Sequence, residues 1–255
     1  MGWKHIEVTN TPPRMTLTLN RPERRNALSL DAMTEVTKAI REVPDEARVV
    51  VIAAGGPAFS SGHDLSEMVE RPRSFYDELF AVCTDMMETI QAIPQPVIAR
   101  VHGVATAAGC QLVASCDLAV ASTEAWFGTP GVKIGLFCTT PAVPLVRAIG
   151  RKRAMEMLLT ARVVDADTAL AWGLVNKVVP PDALDEAIDE YVETIAGFSG
   201  HVIALGKETF YRQAGLSQRD AYAVAQPVMA ENAAQDHARE GITAFLEKRR
   251  PDWPD

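Results

Sequence analysis

The chain has 255 residues, 47% hydrophobic, 23% charged and 6% aromatic, so it can bury a full core and is neither disordered nor fibrous. A formal net charge of −8 argues against general affinity for nucleic acid or for an anionic membrane, and any anion site has to be built locally. Four cysteines, Cys83, Cys110, Cys116 and Cys138, stand among apolar or small residues, with no C-x-x-C pair and no histidine spacing that would make a zinc site. A reducing cytoplasm and no bound metal are the expectation.

The opening stretch MGWKHIEVTN leads directly into strand-like alternation, and no apolar run reaches the roughly 18 residues of a membrane span, so neither export nor membrane insertion is expected. Lys4 to Val8 and Met15 to Leu19 alternate on either side of Thr11-Pro12-Pro13 and predict two strands joined by a turn. Ser29 predicts the cap of an amphipathic helix reaching about Val43, with Asp31 in its first turn and Pro44 as its stop. Val49 to Ala54 is continuously apolar, as a strand covered on both faces should be, and ends in Gly55-Gly56-Pro57.

The pattern then repeats. A long helix from about Phe75 to Ile93 is broken by Pro94 and Pro96, followed by a strand over Val97 to Val101, a small-residue loop, a short helix from about Ala107 and a strand over Asp117 to Ala121. Such alternation predicts an α/β fold with a mostly parallel sheet and right-handed crossovers. Beyond residue 140 the strand signal thins to Leu174 to Val179. Helices are expected over 151–159, 181–197, 200–213, 218–235 and 238–249, with Pro181, Ser199 and Ser217 as starts. The chain thus divides into a core of residues 1–197 and a helical appendage of residues 198–255, with no internal sequence repeat.

Two loops stand out. In Phe59-Ser60-Ser61-Gly62-His63-Asp64-Leu65 a glycine follows small residues and precedes an apolar helix, which puts the backbone N–H of His63 near a helix N-terminus. In Gly103-Val104-Ala105-Thr106-Ala107-Ala108-Gly109-Cys110-Gln111, short side chains leave the backbone open to a ligand, and the N–H of Ala108 is placed to face the first. Small residues also let a helix pack tightly on a sheet, and either loop alone fits both readings. Two such loops, each after a buried strand, favour a site, because an oxyanion hole needs two donors from separate segments.

With NRPERRNAL near the start, SSGHDL, HGVATAAGCQLVASCDLAVAS, FGTPGVKIGL, AWGLVNKVV and GITAFLEKRRP in order, the chain resembles the crotonase superfamily, the enoyl-CoA hydratase/isomerase family. The resemblance implies a core of repeated ββα turns, a C-terminal helical trimerisation region assembling a trimer or a dimer of trimers, and an acyl-CoA thioester as ligand. It implies no cofactor beyond the coenzyme A carried by the substrate. The family's two oxyanion donors fall on His63 and Ala108, the residues already selected. Its ligand contacts fall on Arg24, Arg25, Leu28, Ser61, Asp64 and Leu65, and near the end on Phe245 and Lys248, completed partly across a subunit boundary.

The chain departs from the family where its hydratases carry two catalytic glutamates. Those positions are Gln111 and Gly131. An amide does not trade protons at neutral pH and glycine has no side chain, so loss of both should slow hydration by roughly 10⁴ or more. Binding of an acyl thioester with weak or altered chemistry is one expectation, and a non-catalytic acyl-CoA carrier or regulatory protein is the other. A Gln111→Glu, Gly131→Glu double variant that gained hydration would support this pocket geometry. The imidazole of His63 and the carboxylate of Asp64 are secondary candidates for proton transfer, helix capping being the commoner role for Asp64. His102 is expected in the core, Cys138 as an inert buried thiol and Asp117 in a structural role. Ser61, His63 and Asp64 lie too close in sequence to form a hydrolytic triad, and no G-x-S-x-G, Walker A or G-x-G-x-x-G motif supports a nucleotide cofactor.

Overall fold

The computed structural model describes residues 2–254. Strand β3 (Val49–Ala54) is buried along its whole length because both faces of its sheet are covered. Val50, Ile52 and Ala54 join the main core, while Val49 and Val51 meet Leu184, Ile188 and Val192 on the opposite face. The six-stranded sheet runs β1 (Ile6–Thr11), β2 (Arg14–Leu19), β3, β5 (Val97–Val101), β7 (Leu118–Ser122), β10 (Lys177–Val179). All neighbours are parallel except the β1–β2 hairpin. Helices α1 (Leu30–Arg41) and α2 (Arg73–Ala92) cover one face, and α7 (Leu184–Ala196) the other.

A second, four-stranded sheet supplies the other strand of the ββα turns that the resemblance implies, although the residue pattern does not reveal it. Its strands are three residues each and lie inside what reads as loop: β4 (Ala58–Ser60), β6 (Val104–Thr106), β8 (Trp126–Gly128) and β9 (Val163–Asp165). Runs this short show no period, so only their pairing reveals them. They create the ββα repeat, since β3 is followed by β4 and α2, β5 by β6 and α3 (Ala108–Ser115), and β7 by β8 and then α4 (Thr139–Ile149). The unusual loops therefore follow strands of the small sheet rather than of the large one.

Other boundaries differ by a turn or less. The first strand begins at Ile6 and runs on to Thr11, pairing with Arg14 at the hairpin. Helix α1 stops at Arg41, ahead of Pro44, and Ser29 caps it by accepting from Ala32 N. Pro181 opens a 3-10 turn, so α7 starts only at Leu184, and within 174–179 only Lys177–Val179 is strand. Helices α4, α5 (Arg151–Thr160) and α6 (Ala166–Trp172) complete the middle of the chain.

The last three helices are α8 (Gly200–Gln213), α9 (Gln218–Ala234) and α10 (Asp236–Glu247). Ser199 and Ser217 cap α8 and α9 by accepting from Val202 N and Asp220 N. A buried ion pair ties α8 to the core: Lys207 Nζ donates to Asp117 Oδ2 at 2.6 Å and to the carbonyls of Ile90 and Gln95. Asp117 also accepts from Val97 N and Tyr211 Oη, which is the structural role expected of it. Burial lowers the Lys207 pKa, with Asp117 acting in the opposite direction. No helix among the described residues is long and apolar enough to cross a membrane.

Candidate functional site

The small sheet explains why two distant loops meet. β4 and β6 are parallel neighbours with Ser60 opposite Ala105, so the chain leaves both strands in the same direction. Gly62, at φ 92°, fits directly against the second loop: a Cβ there would stand 2.8 Å from Ala107 Cβ and 3.2 Å from Ala108 N. Ala107 itself holds φ 50°, ψ −119° and turns the chain into α3. Such a φ costs an alanine energy, and surrounding contacts maintain it, including Ala107 N donating to Gly128 O at 2.9 Å.

Both N–H groups point outward for geometric reasons. Leu28 forms an isolated parallel bridge with His63; Leu28 N donates to Gly62 O and Asp64 N to Leu28 O. In a parallel ladder the residue between those two bonds directs its own N–H the other way. Ala108 is the first residue of α3 and has no acceptor one turn earlier. Neither N–H has an acceptor among the described residues.

These groups stand at the head of a cavity of about 630 Å³. Its walls are largely apolar, with Leu65, Met68, Phe80, Ile134, Leu136, Phe137 and Pro141; Ser61, His63, Asp64, Ser66, Thr139 and Thr140 add polar atoms, and Arg24 and Lys133 add positive charge.

The remaining expected residues are distributed differently. The Asp64 carboxylate caps a 3-10 turn by accepting from Ser66 N and Ser66 Oγ, and pairs with Arg21 at 3.0 Å. Burial alone would raise its pKa, but the bonds from Ser66 and Arg21 outweigh that and lower it. Leu28 is buried behind the site and contributes backbone only. Arg25, at φ 51°, uses its carbonyl to accept from Ser61 N and is not in the cavity wall. Phe245 on α10 is 81% exposed, and neither it nor Lys248, the left-handed cap of that helix, reaches the cavity of its own chain.

At the two glutamate positions the structure adds more than the sequence offered. Gln111 is buried away from the cavity wall, its Oε1 accepting a 3.9 Å contact from Cys83 Sγ on α2. Gly131 does line the cavity, but a Cβ there would lie 2.4 Å from Leu136 O and 2.7 Å from Cys138 Sγ. The turn holding Leu136 N against Gly131 O fills the space a longer side chain would take. A glutamate at position 131 therefore needs this turn to shift before its side chain can enter the cavity. Burial raises the pKa of Cys138, with the Gly131 backbone opposing, and pushes Cys83 and Cys110 up to about 12. All four cysteines are free.

The His63 imidazole packs edge-on to Phe80, ring centroids 5.5 Å apart. Both ring nitrogens are shielded from solvent and have no hydrogen-bond partner among the described residues. A nitrogen hidden from a water-sized sphere cannot touch a ligand in this rotamer, so the geometry favours the backbone of His63 over its side chain. His102, expected in the core, is only partly buried and its Nε2 lies 2.8 Å from Gly56 O.

Sequence reasoning missed the apolar wall. Leu136 and Phe137 lie in a segment without period, and Phe80 flanks the buried stripe of α2 formed by Leu79, Cys83 and Met86. Asn26 stood inside a quoted motif without a role, although its place before an apolar helix start hints at a bracket.

Fold and site together define a crotonase-type protein: residues 15–255 match the enoyl-CoA hydratase/isomerase family, and the chain belongs to it. Among its relatives is enoyl-CoA hydratase domain-containing protein 3, mitochondrial, from Xenopus laevis, 48% identical over 92% of this chain and 81% of that protein. The human protein of the same name is 47% identical over 93% and 79%. A solved enoyl-CoA hydratase from Mycobacterium smegmatis superposes with a TM-score of 0.95 at 49% identity, covering 98% of this chain and 99% of the other. These relatives correct one expectation, because the vertebrate proteins are named mitochondrial and a cytoplasmic location does not follow from the cysteine pattern.

Proposed function

We propose that this chain binds acyl-CoA thioesters, with the thioester oxygen between the N–H groups of His63 and Ala108, and hydrates enoyl-CoA poorly or not at all. One observation carries the reading. Two N–H groups without acceptors head an apolar cavity whose acid–base positions are a buried amide facing Cys83 and a glycine closed off by Leu136 and Cys138. Preorganised donors stabilise an enolate or tetrahedral oxyanion whether or not a proton-transfer group is nearby. Coenzyme A arrives as part of the substrate, and no separate cofactor is needed.

Arg24, Ser61 and Leu65 border the cavity, which supports a contact from Arg24 to a CoA phosphate and from Ser61 and Leu65 to the acyl thioester. Phe245 and Lys248 contact the CoA of a neighbouring subunit in a homotrimer or dimer of trimers, with residues 198–255 as the assembling region. Exposed Phe210, Tyr222 and Met229 on α8 and α9 support a face that is covered on assembly. A second reading, a non-catalytic acyl-CoA carrier or regulatory protein, gains support from Gln111 and Gly131.

Calorimetric titration with acyl-CoAs of several chain lengths, alongside crotonyl-CoA hydration, tests both. Saturable binding with slow or undetectable hydration is expected; rapid turnover overturns the loss of acid–base function, and absence of binding overturns both readings.

A further inference from the structure

Ser60 in β4 is completely buried and touches both donor segments. Its Oγ donates to Asn26 O at 2.9 Å and accepts from Gly62 N at 3.3 Å, one residue before His63. On its other side a Cβ added to Gly109, one residue after Ala108, would lie 2.3 Å from Ser60 O and 2.8 Å from Ser60 Cβ. Ser60 therefore bears on the neighbours of both donors while also holding a third segment.

That third segment is itself braced. Asn26 is 1% exposed at φ 52°. Its Nδ2 donates to Gly55 O and Ala58 O at 2.7 and 2.8 Å, and its Oδ1 accepts from Arg21 N at 2.8 Å. The side chain thus clamps both ends of the β3–β4 connection, and its carbonyl presents a fixed acceptor to Ser60. A left-handed φ in a non-glycine residue and five hydrogen bonds in a buried position, including Asn26 N to Arg21 O, mark a bracket whose geometry is over-determined.

Resting on the acyl-thioester reading above, we infer that Ser60 is a positioning residue: anchored on Asn26, its hydroxyl holds the Gly62 N–H and so, together with the Leu28 bonds to Gly62 O and Asp64 N, sets the direction of the His63 N–H relative to that of Ala108. An oxyanion hole depends on donor direction as well as on donor presence, so a small tilt of Gly62 weakens polarisation of the carbonyl without closing the cavity. Ser60→Ala removes only Oγ and leaves the Cβ packed on Gly109, which separates hydrogen-bond direction from packing.

The test uses butyryl-CoA labelled with ¹³C at the thioester carbonyl and infrared difference spectra of the bound ester. In the natural protein the carbonyl stretch falls on binding. In Ser60→Ala most of that fall is lost while Kd changes by no more than about threefold, the scale of one modest hydrogen bond. Ser60→Cys, of similar size but a weaker donor, gives an intermediate fall and carries the test if the alanine variant does not fold. A fall equal to the natural protein's in either folded variant overturns the role of Ser60 alone. An unshifted carbonyl in the natural protein, or no binding of butyryl-CoA, overturns the acyl-thioester reading and this inference with it.

Discussion

The imidazole of His63 lies edge-on against Phe80 with its nitrogens out of reach of solvent, and burial lowers its pKa below the usual 6.5, with the Leu28 backbone opposing. The unfolded chain therefore binds a proton at mildly acid pH that the folded chain does not, so stability falls as pH drops through about 6.5. Melting temperature should decline between about pH 7.5 and 5.5, and His63→Leu should flatten that slope while still binding acyl-CoA, because its backbone N–H remains. An unchanged slope in the variant would contradict the buried neutral ring. At Gly131 the prediction is steric: Gly131→Ala should cost about 1–3 kcal/mol in urea unfolding, as overpacking does. A neutral substitution would mean that the Leu136–Cys138 turn yields easily.

Among the elements, the short strands of the second sheet decide where function sits. The long strands, the helix caps Ser29, Ser199 and Ser217, and the proline stops were legible because burial, capping and the missing N–H of proline act locally. β4, β6, β8 and β9 were not, because three-residue strands take their identity from partners far away in sequence. The small residues around His63 and Ala108 single out the two N–H groups that the structure leaves without acceptors at the cavity, whereas the direction of Gln111 and the closure over Gly131 depend on Cys83 and Leu136, which no local pattern marks. Gly109→Ala tests the packing of these elements: with Ser60 O only 2.3 Å from the new Cβ, α3 must retreat from β4. Acyl-CoA affinity should then drop at least about tenfold by titration, since displaced donors lose the geometry on which they act. Retained affinity would show that the two loops need not touch this closely.

At the scale of the whole molecule, one ion pair among the described residues joins the helical C-terminal region to the core, just ahead of β7. Lys207 and Asp117 have side chains only 6% and 15% exposed, and removing one partner of such a pair leaves a buried charge unmatched. Asp117→Asn should cost about 3–5 kcal/mol in urea unfolding; a loss below about 1 kcal/mol would mean that α8 is held by apolar packing alone. A molecule that keeps the oxyanion hole of its family while lacking the means to add water should bind an enoyl thioester without hydrating it. The most direct measurement is the enoyl absorption band of crotonyl-CoA followed in time after mixing with excess protein. The band is expected to shift on binding, as the two N–H groups polarise the thioester, and then to persist. Rapid bleaching of the band, which reports hydration, would contradict it.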